Sequence, residues 1–262
     1  GDHRDLHSFP TRRSSDLLHR PDCVEAVGRC ALDLNRLSRE VAALQNLAPT
    51  VCLLWSDASL VLGSAHDDQA GLVYEAANFL GQPLGFATEA KLAEAARTGK
   101  LPRPLDSAKV LLLPDVTHLP DESRAGLDKL REAGVRVLAC GEAPLRNDWN
   151  QPRESGDLER LPACGDSKEL FALLAERAAG WSLPAALRLQ DESGRPVYGV
   201  EIRSAALGGG RVASVCNHLR EPVRVALAGA EGKALTDLIT GKSLGSTFTA
   251  EPMTPVLIRV QE

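Results

Sequence analysis

Aromatic side chains are scarce in this sequence: three Trp, two Tyr and five Phe among 262 residues. That is thin for a groove that stacks sugar rings, so Trp55, Trp149 and Trp181 read as core or interface residues. Methionine is scarcer still. Met253 stands alone and no initiator is present, so either processing removed the start or the chain is a fragment. No apolar run approaches the roughly 18 residues that span a bilayer, so no membrane partner is expected. Basic charge is not in excess either: the formal net charge is −5, which does not fit a nucleic-acid binder. The six cysteines, Cys23, Cys30, Cys52, Cys140, Cys164 and Cys216, include no CxxC pair, and no zinc site is expected. Cys23 and Cys30 fit one helix face. Several of the others lie in apolar strand-like runs and read as buried thiols, which favours a reducing, cytoplasmic compartment. A phosphate loop is missing as well. Leu207–Arg211 (LGGGR) has no Lys and no following helix, and reads as a turn between strands.

Residues 1–17, GDHRDLHSFPTRRSSDL, lack the apolar stretch of about 7–15 residues that a signal peptide needs, and their acidic residues do not suit a transit peptide. Back-translated, the stretch reads as a short-read sequencing adapter. It is therefore expected to be an artefact, with the real protein beginning near Leu18 and its upstream sequence lost.

Apolar periodicity takes over from Pro21. Val24, Val27, Ala31, Leu34, Leu37, Val41 and Leu44 recur at steps of three and four, which predicts one helix over 21–47 stopped by Pro49. Strands and helices then alternate. Strands are expected at 51–55 (VCLLW), 83–88, 109–114 (KVLLLP) and 135–140 (VRVLAC), and helices at 67–80, 89–97, 121–134 and 166–179. The short continuous apolar runs suit strands buried on both faces, and the alternation predicts an open α/β sheet. Asp166 and Glu169 form a capping-box pattern at the last helix. Beyond Trp181 the pattern changes to short strands at 186–190, 197–204, 211–217, 223–227, 234–239 and 255–260, separated by Gly-rich turns. This predicts a small antiparallel β-sandwich. The expected division is 1–17 artefact, 18–48 helix, 49–180 α/β domain and 181–262 β-domain.

In an open α/β sheet, sites lie at the carboxyl ends of the strands. Those positions hold Ser56, Asp57, Ser59, Thr88, Glu89, Asp115, His118, Cys140 and Glu142. A thiol site could be assembled from Cys140, His118 and Glu142. However, a nucleophile elbow needs small neighbours for its strained turn, and Leu138 and Ala139 precede Cys140 without a Gly-x-Cys-x-Gly pattern. Cys140 thus reads as a buried thiol, and no catalytic residue is assigned. His66, Asp67 and Asp68 read as the solvated first turn of a helix rather than a metal site, and Asn217–His218 as a strand-end turn. No cofactor is expected.

The stretch from Val73 to Gly141, with its helix ending near Gly81, the strand into Thr88–Glu89, then KVLLLP, a loop, and a helix into AGVRVLA, resembles the trimerisation domain of the family 42 β-galactosidases. Residues DLNRLSREVAAL and VCLLWSDAS before it resemble the exit from that family's catalytic barrel. The tail from Gly199 to Val260 is similar to its C-terminal β-domain. The resemblance covers roughly residues 20–262. It implies a flavodoxin-like middle domain, similar to class I glutamine amidotransferases without their catalytic set. It further implies a homo-trimer, and catalysis of galactoside hydrolysis by two glutamates on an upstream (β/α)₈ barrel to which no position here corresponds. The expected function is then that of a non-catalytic C-terminal fragment serving oligomerisation and barrel support. The helix over 21–47 would have docked on the barrel, leaving part of its apolar stripe uncovered. Two alternatives remain at this point: an amidotransferase-like or other hydrolytic enzyme using Cys140, and a carbohydrate-binding β-module.

Overall fold

A computed structural model describes residues 20–62, 65–154, 156–184 and 187–261. The adapter-like segment, residues 1–17, lies outside the described residues.

The expected single helix is two. α1 spans Pro21–Arg36 and α2 spans Ser38–Gln45, with the break at Leu37 (φ −105°, ψ 23°). Burial explains the break. α1 buries no residue. Leu37 is only 7% exposed and packs with Ala205, Val212 and Leu257. Turning the chain there lets α2 place Ala43, Leu44 and the following Leu47 on the same apolar cluster. Arg36 also donates to the Leu238 carbonyl at 2.8 Å.

The α/β domain is built from five parallel strands: β1 (Val51–Trp55), β2 (Leu84–Thr88), β3 (Val110–Pro114), β4 (Arg136–Cys140) and β5 (Glu159–Leu161). Their order in the sheet is β2-β1-β3-β4-β5. Around them run α3 (Asp57–Val61), α4 (His66–Asn78), α5 (Glu89–Thr98), α6 (Asp121–Glu132) and α7 (Ser167–Ala178). The strands read as unbroken apolar runs because both faces are covered. Val51, Leu53, Val110, Leu112, Leu138 and Cys140 face α4 and α7. Their neighbours Cys52, Leu54, Leu111, Leu113, Val137 and Ala139 face α5 and α6.

Turn and cap chemistry falls where the sequence puts it. Gly99 closes α5 in the left-handed conformation (φ 66°), and the Asp166 carboxylate caps α7 by accepting from Lys168 N and Glu169 N. Gly126 has a different task. A β-carbon there would overlap the Leu92 carbonyl, so the glycine sets how closely α6 approaches α5.

The β-domain pairs its strands antiparallel. One sheet has the order β11 (Ser243–Leu244), β10 (Leu235–Asp237), β13 (Val256–Gln261), β8 (Gly210–Asn217), β7 (Val200–Leu207). The other has β12 (Thr247–Ala250), β9 (Val223–Ala228), β6 (Arg188–Gln190). Leu189, Ile202, Val215, Val225, Leu227 and Ile258 fill the space between the sheets. Three strands were not expected from sequence: β5, β11 and β12. Each is four residues or shorter and buries at most one side chain, so each carries too little alternation to be seen.

Candidate functional site

Four strand ends meet above the α/β sheet, and their polar side chains tie one element to the next. Ser56, the cap of α3, places its hydroxyl 2.6 Å from Glu89 Oε1 at the start of α5. The same Glu89 oxygen accepts from Ala58 N at 3.1 Å. The Ser59 hydroxyl lies 2.9 Å from the His118 carbonyl and accepts from His118 N at 3.1 Å. With Ser56 donating to Glu89 and Ser59 donating to His118, both hydroxyl protons are in use. Burial raises the Glu89 carboxyl above its usual range, partly offset by the Ser56 and Ala58 bonds.

His66 is fully buried rather than part of a solvated turn, which corrects the sequence reading. Its Nε2 accepts from Ser56 N at 2.9 Å, and its Nδ1 lies 2.6 Å from the Pro114 carbonyl. The proton therefore sits on Nδ1, and the ring braces the ends of β1 and β3. Among the described residues, no group of three or more His, Cys, Asp or Glu side chains is placed to hold a metal.

Cys140, His118 and Glu142 lie at neighbouring strand ends but form no hydrogen-bonded set among the described residues. Cys140 is 1% exposed and faces the α4/α7 layer, where burial pushes its thiol up to about 12. At neutral pH it is a thiol, not the thiolate that reacts. His118 turns elsewhere: its Nδ1 lies 2.9 Å from Thr117 Oγ1 and its Nε2 3.2 Å from Asn150 Oδ1. The backbone N–H of Glu142 donates to Asp115 Oδ1 at 3.0 Å, while its side chain is exposed.

Beside these residues is a cavity of about 540 Å³ lined by Asp115, Thr117, His118, Glu142 and Arg146. The loop over 144–153 forms one wall, and it is firmly built. Buried Asn147 accepts from Trp149 N and Gln151 N and donates to Asp121 Oδ2. Arg153 clasps Asp121 with two bonds of 2.7 and 2.8 Å, which hold that carboxyl down at about 2. Arg146 Nη1 donates to both Asn150 O and Asn150 Oδ1. Trp149 stands on this loop 79% exposed, so it is not a core residue. Sequence reading did not single out Asn147, Asn150, Arg146 or Asp121. The available signal was the polar density of RNDWNQ around one tryptophan in a loop.

Two further clusters join the domains. The Tyr198 hydroxyl lies 2.6 Å from Ser167 Oγ and 2.9 Å from Glu75 Oε1. His218 Nε2 lies 3.2 Å from Glu201 Oε2, and its ring is tilted against Phe79.

The fold defines a class: an α/β domain with a five-stranded parallel sheet, followed by an antiparallel β-sandwich. Solved structures share it. The apo exo-carrageenase GH42 from Bacteroides ovatus superposes with a TM-score of 0.70 at 19% identity, over 93% of this chain and 33% of its own. Gan42B, a GH42 β-galactosidase from G. stearothermophilus, gives 0.59 at 11%, over 83% of this chain and 41% of its own. The β-galactosidase from Bacillus circulans sp. alkalophilus gives 0.54 at 12%, over 81% and 41%. At these identities the likeness is one of fold, and this chain spans well under half the length of each of these proteins. No family model and no curated protein matches the sequence. Among the described residues, no helix is long and apolar enough to cross a membrane.

Proposed function

We propose that this chain is the non-catalytic C-terminal part of a family 42-type glycoside hydrolase acting on galactosides. In this reading the α/β domain over 49–180 is flavodoxin-like and carries self-association into a homo-trimer. The β-domain over 181–262 supports a (β/α)₈ catalytic barrel in the full-length protein. One observation carries the reading: a single superposition covers 93% of this chain, yet only 33% of the GH42 exo-carrageenase. The strand order β2-β1-β3-β4-β5 supports the flavodoxin-like assignment. Exposed Val24, Val27 and Leu34 on α1 support a contact with a further domain. The thiol-enzyme alternative has nothing comparable behind it, because Cys140 is buried and protonated.

The test is hydrolysis of a nitrophenyl galactoside by residues 18–262, set against the full gene product read from genomic sequence. Turnover by the full product alone supports the reading. Turnover by residues 18–262 overturns it, as does an upstream sequence without a barrel carrying two strand-end glutamates.

A further inference from the structure

The two edges of the parallel sheet are built differently. β5 closes one edge with Glu159 and Arg160, and Arg177 on α7 donates to Glu159 Oε1 at 2.9 Å. Charges of this kind keep an edge strand from pairing with another chain. β2 closes the other edge with LGFAT, which carries no charge and no proline. At its centre Phe86 is 51% exposed and stacks on Tyr74 of α4, itself 39% exposed, with ring centroids 5.6 Å apart.

The backbone of β2 says what fits beside it. Val51 N donates to the Pro83 carbonyl at 3.2 Å, and Val51 lies opposite Leu84 in the parallel pairing of β1 with β2. Main-chain groups alternate along a strand, so Pro83, Gly85 and Ala87 turn theirs towards β1. Leu84 and Phe86 turn theirs outward, and Thr88, next in the alternation, caps α5. Among the described residues, no hydrogen bond uses the outward N–H or C=O of Leu84 or Phe86. A second β2 laid antiparallel about a two-fold axis beside Gly85 sets Leu84 of each copy opposite Phe86 of the other. Both are then hydrogen-bonded positions, and every outward N–H and C=O of the two residues is used on both copies. The side chains of Leu84 and Phe86 share one face, so the same register brings the two Tyr74–Phe86 stacks together. Gly85 meets its own copy with no side chain between them, and no like charges oppose each other along the strand.

We propose that β2 is an interface with a second copy of this chain, the two edge strands pairing antiparallel so that two five-stranded sheets become one continuous sheet. The contact is two-fold, so it closes at a pair of chains. It does not rest on the trimer reading: a trimer built through another surface would be joined by this edge to a second trimer.

The experiment measures the mass of the full chain by light scattering and the hydrogen exchange of its amides. Concentrations run up to about 200 μM, because a contact of one short strand and two stacked rings is small and binds weakly. Two variants accompany the wild type. Phe86→Lys puts a charge on the exposed edge, and Tyr74→Gln removes the stacking partner without touching the paired backbone. Thermal unfolding checks that both are folded. Expected is a wild-type mass that falls by half in Phe86→Lys, with association weakened about tenfold in Tyr74→Gln. The amides of Leu84 and Phe86 are expected to gain protection as the wild-type concentration rises, and Leu84 to lose it in Phe86→Lys. The proposal is overturned by a mass that neither variant changes, whether of one chain, two or three. It is equally overturned if the protection that grows with concentration lies outside residues 84–88. None of these outcomes depends on whether the full gene product hydrolyses galactosides.

Discussion

Ser56 and Glu89, 33 residues apart, meet at 2.6 Å and tie the end of β1 to the start of α5. The contact is partly buried, and burial is the larger influence on Glu89, holding its carboxyl above the usual range. An acid whose pKa is raised by folding binds more protons in the folded state. Its stabilising contribution is complete below the unfolded value of about 4.3 and is lost as pH rises through the raised folded value. Glu89→Gln keeps a hydrogen-bonding side chain but cannot ionise. The expected result is that the melting temperature of Glu89→Gln, relative to wild type, climbs as pH rises from about 4 towards neutrality. A pH-independent difference would show that Glu89 has the same pKa folded and unfolded.

Asp121 behaves in the opposite sense. Its bonds from Arg153 and Asn147 hold its carboxyl at about 2, so the loop it anchors is secured above the unfolded value and loosens as pH falls towards that figure. Asp121→Asn should produce the same loosening at neutral pH. Limited proteolysis is expected to cut the variant within 144–153 sooner than wild type, with little change in global melting.

Thiol accessibility separates the cysteines. Cys23 and Cys30 lie on α1, part-exposed and exposed, whereas Cys52 and Cys140 are buried with thiols pushed up to about 12. Brief iodoacetamide treatment of the native protein, read by peptide mass spectrometry, is expected to label Cys30 first and to spare Cys52 and Cys140. Rapid labelling of Cys140 would revive the thiol-enzyme reading.

The contact between α5 and α6 depends on an absent side chain. Gly126→Ala places a methyl group against the Leu92 backbone, which cannot rotate away. Destabilisation of about 1–3 kcal/mol is expected in urea unfolding. An unchanged midpoint would mean that the helices shift apart at little cost.

The two leading helices should respond very differently to truncation. Leu37→Ala removes a buried side chain from the cluster with Ala205, Val212 and Leu257 and should cost about 2–3 kcal/mol. Val27→Ser, at a position 69% exposed on α1, should stay within about 0.5 kcal/mol. A large effect at Val27 in the isolated chain would show that α1 is already covered, most simply by another copy.

Legibility in the sequence followed burial. VCLLW and KVLLLP announced β1 and β3 because each is covered on both sides, and Gly99 and Asp166 marked helix ends through local chemistry. The helix break at Leu37 was hidden. Its apolar spacing is that of a continuous helix, and only the distant Val212 and Leu257 give the chain a reason to turn. The site was half legible. Asp115, His118 and Glu142 were visible as strand-end residues, but their partners were not: Asn150 is 32 residues from His118, and Asp121 is 32 from Arg153. His66 was misread because its partners are a backbone amide and a backbone carbonyl, which no side-chain pattern records.

The seating of α2 on the sandwich has a consequence for synthesis. Arg259 on β13 pairs with Glu40 on α2 across 219 residues of chain, and Leu37 packs on Leu257. At about 5–20 residues per second, a ribosome needs about 10–40 seconds between making one partner and the other. For part of that interval α2 has emerged while its seat is incomplete. Its apolar face is then open to whatever else is nearby, until Ala205 and Val212, and later Leu257, come to cover it.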